Sequence, residues 1–382
     1  MKTAYLIAAS CLLLAACSTI TGNVVEETSM DEDLSEMGTA FVNTSTLLFI
    51  EPENAEKERE EFIVLLKNAA KKDRRALYDQ HISTLGANGI LDAIEHIWPK
   101  CHSEAHDLGK VIFSKLQDIG LSLRVCADRC YSGCMHGILM EAFRAAQNHD
   151  DPDHHVDPGL LKPLMNDLCS ANKVMTAAYS PGDCAHGVGH ALMFLTGYTV
   201  PHAIEACESF DSKPLQYYCA TGAYMEYVTE NDAQDAKTKP WFSPCDTNKY
   251  PAACARYKMV HVIKRHYQAK KPTGALIKDC EALAGAYRLG CFHGLGNAHM
   301  ALIATGKRKL NDVCTGSDDE QRVCIEGAME RMSKYHPALA KNVCATVHGK
   351  QHEVCTAAVG YGMYNIGKDL SLYLSAQQNN KV

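Results

Sequence analysis

Between Ala55 and Leu77 apolar residues recur at three- and four-residue steps, at Phe62, Leu65, Leu66 and Ala69, with charges of both signs between them. That spacing lines one face of a helix with apolar side chains and predicts an amphipathic helix across the stretch. Gly89 to Trp98 predicts a second helix, closed by Pro99, whose ring cannot continue it. Beyond Pro99 the pattern changes from a stripe to a motif that returns. Cys134-Met135-His136-Gly137, Cys184-Ala185-His186-Gly187, Cys219-Ala220-Thr221-Gly222, Cys291-Phe292-His293-Gly294 and Cys324-Ile325-Glu326-Gly327 are five forms of it. Cys254-Ala255-Arg256-Tyr257 and Cys355-Thr356-Ala357-Ala358 keep the cysteine and lose the glycine.

The steps between these seven cysteines run from 31 to 50 residues, most of them in the thirties. A period of that size is the mark of helical-hairpin repeats. The expected fold is therefore all-α: two N-terminal helices over 55–98, then tandem αα-hairpin repeats over 99–374, forming a curved solenoid or a closed α/α toroid. In each hairpin a second cysteine, near the end of the first helix, precedes the one that opens the next. The pairs expected from this spacing are Cys169 with Cys184, Cys207 with Cys219, Cys245 with Cys254, Cys280 with Cys291, Cys314 with Cys324, and Cys344 with Cys355. Cys126 with Cys134 matches them in the first repeat, which leaves Cys101 with Cys130.

Glycine inside a helix costs about 1 kcal/mol relative to alanine. Its return three residues after the cysteine implies that a neighbouring helix comes close there. The residue just before that glycine is His136, His186, Thr221, Arg256, His293, Glu326 or Ala357, polar in six of seven repeats. Stacked in register, these side chains form one polar row, and a buried polar row needs partners.

Eighteen cysteines in 382 residues require either an oxidising compartment or many metal sites. The N-terminus favours the first. Lys2 and an apolar run from Ala4 lead to Leu14-Ala15-Ala16-Cys17, the pattern of an export signal too short to span a membrane comfortably. Leu-Ala-Ala-Cys resembles the lipobox of bacterial lipoproteins. That resemblance implies a signal over 1–16, a lipidated Cys17, attachment to the membrane through this lipid and a periplasm-facing chain. With Ser18 rather than an aspartate next in line, it implies the outer membrane more than the inner. Residues 17–54 read as an acidic tether and 375–382 as a tail. The hairpins, with one disulfide each, resemble in architecture only the cysteine-rich Sel1-like repeats of secreted bacterial proteins. The formal charge of −7 argues against nucleic acid as a partner.

Two histidine pairs have i, i+4 spacing, His102 with His106 and His186 with His190, which sets both rings on one helix face as a metal site needs. His136 adds a candidate ligand from a neighbouring helix, and His293 joins them only if the array closes. Glu141 and Glu226 are candidate ligands or bases. The candidate metal ligands are thus His102, His106, His136, His186, His190 and His293, for zinc, copper or iron, with noncovalent haem a lesser alternative. The loop from His149 to Pro158, with three histidines and four aspartates, reads as a solvated loop before a helix or as a cation-binding cap. No zincin, nucleophile-elbow, phosphate-loop or dinucleotide motif accompanies these residues, so no reaction is specified. Three functions stay open: binding of a metal or small ligand on the polar row, with or without catalysis; a periplasmic interaction scaffold, with an envelope protein as partner, whose histidines only satisfy local hydrogen bonds; and a periplasmic thiol–disulfide enzyme, which requires a reactive unpaired cysteine pair.

Overall fold

The computed structural model describes residues 52–99, 101–146, 158–170, 179–245 and 249–374. The expected signal, Cys17, nearly all of the tether, the loop from His149 to Asp157 and the C-terminal tail lie outside these residues. Among the described residues the regular structure is helical, with no strand. No helix there is long and apolar enough to cross a membrane.

Helix α1 spans Pro52–Asn68 and α2 spans Arg74–Ile97. The single helix expected over Ala55–Leu77 is therefore broken. Ala70 is extended (φ −64, ψ 149), and a 3₁₀ turn at Lys71–Asp73 reverses the chain. The reversal lays Phe62 of α1 against His81 of α2, ring centroids 5.0 Å apart, and buries Leu66, while Leu65 stays 48% exposed. The helix expected from Gly89 begins much earlier, at Arg74, and Gly86 (φ 63) kinks it. Glycine reaches that left-handed region without the steric cost a side chain would add.

Longer and shorter helices then follow one another. They are α3 (His102–Leu116), α4 (Ile119–Val125), α5 (Gly133–Ala146), α6 (Pro158–Leu168), α7 (Pro181–Leu195), α8 (Val200–Cys207) and α9 (Lys213–Thr238). After these come α10 (Pro251–Gln268), α11 (Thr273–Glu281), α12 (Gly285–Ala304), α13 (Leu310–Val313), α14 (Asp318–Tyr335), α15 (Pro337–Cys344), α16 (Lys350–Tyr361) and α17 (Ser371–Leu374).

Eight disulfides staple them: Cys101–Cys130, Cys126–Cys134, Cys169–Cys184, Cys207–Cys219, Cys245–Cys254, Cys280–Cys291, Cys314–Cys324 and Cys344–Cys355. These are the eight pairs that spacing along the chain suggests. Apart from Cys101–Cys130 and Cys245–Cys254, each ties a short helix, at or near its end, to the first two turns of the next long one. Loops this short contribute about 2–3 kcal/mol each in the chain-entropy account.

The repeated glycines sit where the long helices nearly touch. A Cβ on Gly222 of α9 would collide with the His186 carbonyl of α7, and one on Gly189 of α7 with the Cys219 carbonyl of α9. Gly109 and Gly137 form the same reciprocal pair between α3 and α5. Close approach of the backbones brings side chains of one helix within hydrogen-bond reach of rings on the next.

Contacts remote in sequence add to this. Lys334 of α14 lies 2.9 Å from Asp183 in the first turn of α7 and 2.9 Å from Asp128 ahead of α5. Asp183 also closes a capping box with Ser180, which holds the start of α7 in place.

Candidate metal centre

Helix α3 carries His102 and His106 on one face, α7 carries His186 and His190, and α5 inserts His136 between them. One ring nitrogen from each of His102, His106, His136 and His190 lies within 4.8 Å of the others. His136 stacks on His190 with centroids 4.5 Å apart and stands edge-on to His102 at 5.0 Å. His106, His136 and His190 are buried, and His102 is half-buried.

Hydrogen bonding assigns the protons. His102 directs Nδ1 at the carbonyls of Cys130 and Tyr131, 3.2 and 3.1 Å away, so Nδ1 carries the hydrogen and Nε2 a bare lone pair. His190 donates Nδ1–H to Glu226 Oε2 at 2.7 Å, which again bares Nε2. Thr221 donates its hydroxyl to the Tyr218 carbonyl at 2.6 Å, so it accepts from His186 Nδ1 at 2.8 Å. His186 Nε2 is then also an acceptor, and the Tyr364 hydroxyl donates to it at 3.1 Å.

One conflict follows. His186 Nε2 and His190 Nε2 stand 3.3 Å apart as facing lone pairs. His102 Nε2 and His106 Nε2 are 3.2 Å apart, where a neutral His106 donates Nε2–H to the bare His102 nitrogen. A cation that takes the His190 lone pair relieves the conflict and can replace the His106 proton in the second pair. With metal–nitrogen bonds of about 2.0–2.1 Å, neighbouring ligand nitrogens of a tetrahedral shell stand about 3.3 Å apart.

The alternative cation, a proton, is disfavoured on most of these rings. Burial, reinforced by His190 and Arg331, pushes the His102 ring down to about 3. Burial and the neighbouring histidines likewise hold His106, His136 and His186 well below the usual imidazole range. Neutral imidazoles are the ligating form. The backbone carbonyls behind His102 and the carboxylate behind His190 are the outer partners that metal-bound histidines commonly have.

The sequence candidates divide. His102, His106, His136 and His190 come together, and His186 stands at their edge, in contact with His190 but with both nitrogens engaged. His293 lies apart: its Nε2 is 3.2 Å from Glu330 Oε1, among Arg256, Lys368 and Tyr373. Glu226 reaches the group through His190, whereas Glu141 pairs instead with Arg75 and Arg144. The sulfurs of Cys101 and Cys130 lie near Glu95 but are joined to each other, which removes them as thiolate ligands.

Beside the histidines runs a second buried network that the motif columns show only in part. Glu330 accepts from Arg256 at 2.6 Å and Lys368 at 3.0 Å, and Glu326 accepts from Lys368 at 2.8 Å and Tyr373 at 2.6 Å. Burial raises the Glu330 carboxyl, but the two cations outweigh it and hold the group well below its ordinary value. Glu330 follows Cys324 at the same offset as His190 follows Cys184, a signal the sequence carries. Tyr364 and Lys368 come from the segment after α16 and belong to no column. No protein-family model, curated protein or solved structure matches this chain.

Proposed function

We propose that this chain is a lipid-anchored cell-envelope protein that binds one transition-metal ion through His102, His106, His136 and His190. The observation that carries this reading is the convergence of one ring nitrogen from each of these four histidines to within 4.8 Å, beside the facing acceptor nitrogens of His186 and His190 3.3 Å apart. His102 and His190 are fixed by their outer hydrogen bonds. Four imidazoles without thiolate suit zinc or copper first, and iron next. The metal would serve as a Lewis acid or electron carrier, and the four rings supply its shell.

The remaining parts of the reading rest on the sequence and on local geometry. The Leu-Ala-Ala-Cys motif and the eight disulfides support export and anchoring at Cys17. The disulfides that join short helices to the long helices after them support a tandem array of αα-hairpins. Lys334, which joins α14 to the start of α7, supports a closed ring over an open solenoid. The scaffold alternative has its support at His299, bonded only to the Leu295 carbonyl at 2.8 Å, and at the doubly satisfied His186. It leaves the facing lone pairs unexplained.

The test is elemental analysis of the signal-free protein, purified from the periplasm without chelator or affinity tag, beside His136→Ala and His190→Ala. The expected result is close to one metal ion per chain, lost in both variants with unchanged circular dichroism. Metal absent from the wild type after supplementation overturns the reading and leaves the scaffold.

A further inference from the structure

Buried cations in this protein have carboxylates beside them: Arg256 has Glu330 at 2.6 Å, Lys368 has Glu326 at 2.8 Å and Lys258 has Asp232 at 2.8 Å. Arg331, on the same helix as Glu330, does not. Among the described residues its guanidinium meets the face of Tyr131, 5.3 Å from the centroid, and the Met225 sulfur at 4.0 Å. Its Nε is sealed from solvent with no partner. A half-buried guanidinium without a counter-charge is a costly arrangement, and its planar fork is shaped for a two-oxygen acceptor.

Its position is equally specific. Tyr131 is the residue whose carbonyl orients His102, and Met225 adjoins Glu226, which orients His190. Arg331 thus touches the outer partner of one proposed ligand and the helix neighbour of another's. His102, Tyr131, Met225 and Arg331 all keep part of their surface in solvent, whereas His106, His136, His186 and His190 are buried. His102, the partly exposed member of the histidine group, is one of the two histidines on which the Arg331 charge acts, buried His186 being the other. Tyr131, Tyr257, Tyr335 and Tyr364 stand close enough to act on its charge, and they add hydroxyls and rings but no carboxylate.

We propose that Arg331 anchors a small oxyanion, a carboxylate or phosphate-type group, at the open edge of the histidine group. One end of the anion takes the guanidinium fork and the other faces the metal. The second contact rests on the metal reading; the first does not. Neutral histidines around a divalent ion, offset only by Glu226, leave this edge with a net positive charge that favours the same ligand.

The test titrates inorganic phosphate into zinc-loaded and metal-free protein by calorimetry, using wild type, Arg331→Met and Arg331→Lys. The expected result is one phosphate per wild-type chain, at least tenfold weaker binding in R331M and an intermediate loss in R331K, which keeps the charge without the fork. Zinc stoichiometry should be unchanged, and phosphate should raise the melting temperature of the wild type most, of R331K less and of R331M least. Equal phosphate affinity in wild type and R331M, or no phosphate binding in either metal state, overturns the proposal. If zinc fails to load while phosphate still needs Arg331, the metal reading falls and the anion site stands. Zinc that loads beside Arg331-independent phosphate binding gives the reverse. Should R331M not fold, R331K and R331Q carry the same comparison.

Discussion

His190 and Glu226 form a buried hydrogen-bonded pair, Nδ1 to Oε2 at 2.7 Å, and Tyr198 donates to the other carboxylate oxygen at 3.2 Å. Glu226 therefore fixes both the tautomer and the orientation of the ring. Replacement by glutamine keeps an acceptor but removes the charge that makes the imidazole a stronger donor to metal. Glu226→Gln should weaken metal binding about 10–100-fold, as outer-partner changes do. Competition with a chromophoric chelator measures it, and an unchanged affinity would show that His190 is no ligand.

Gly222 and Gly274 offer a controlled pair. A methyl group on Gly222 would collide with the His186 carbonyl, whereas one on Gly274 would meet nothing. Gly222→Ala should lose about 1–3 kcal/mol by forcing α7 and α9 apart. Gly274→Ala should be neutral or gain up to about 1 kcal/mol. Urea unfolding of both variants decides it, and equal effects would contradict the close packing.

Acid should destabilise the metal-free protein earlier than carboxylates alone allow. The sign follows from proton counting. His102 has a depressed folded value, about 3, against about 6.5 when unfolded. The unfolded chain thus binds more protons between these limits, and stability rises with pH across that window. Stability should fall as pH drops below about 6.5, with a limiting slope of about 1.4 kcal/mol per pH unit for each such histidine. The depressed carboxylates Glu226, Glu326 and Glu330 act in the same direction only below their ordinary range. Unfolding free energies at pH 7, 6 and 5 isolate the histidines, and His102→Gln should flatten the slope. A flat profile in the wild type would refute their neutral burial.

Arg256 and Glu330 are each 3% exposed at the side chain, so cutting the pair strands a charge. Arg256→Met should cost about 3–5 kcal/mol. The double variant Arg256→Met with Glu330→Gln should recover part of it. Thermal or urea unfolding of the cycle reads the coupling, and no recovery would mean that Lys368 and His293 carry Glu330 alone.

Much of this arrangement is legible along the chain because it is local. Disulfides that close loops of 8 to 15 residues can be paired by counting, and i, i+4 histidines declare their common face. Glycines that recur after a cysteine mark where backbones meet. What the chain does not spell out depends on which distant helix arrives. Helix α14 brings Arg331 and Lys334 to the side of α5 and α7, and Tyr364 reaches His186 across 178 residues. Neither approach has a periodic signature. The broken helix at Ala69–Asp73 escapes a pattern reading for a simpler reason: Ala69 to Lys72 are good helix formers, and the reversal goes with the docking of α2 on α1.

The staples also impose an order on assembly. Cys134 and Cys184 stand two positions before His136 and His186, and each is bonded to a partner in the preceding segment. While reduced, those sulfurs would offer thiolates close to His136, proposed to hold the ion, and to His186 at its edge, and thiolate is the preferred ligand of zinc and cuprous copper. A chain that met its metal before oxidation would be captured in a mixed sulfur–nitrogen trap, with its hairpins unclosed. On the proposed metal reading, oxidative closure would come first, and the compartment that forms the disulfides would also set when the histidines are free to select an ion.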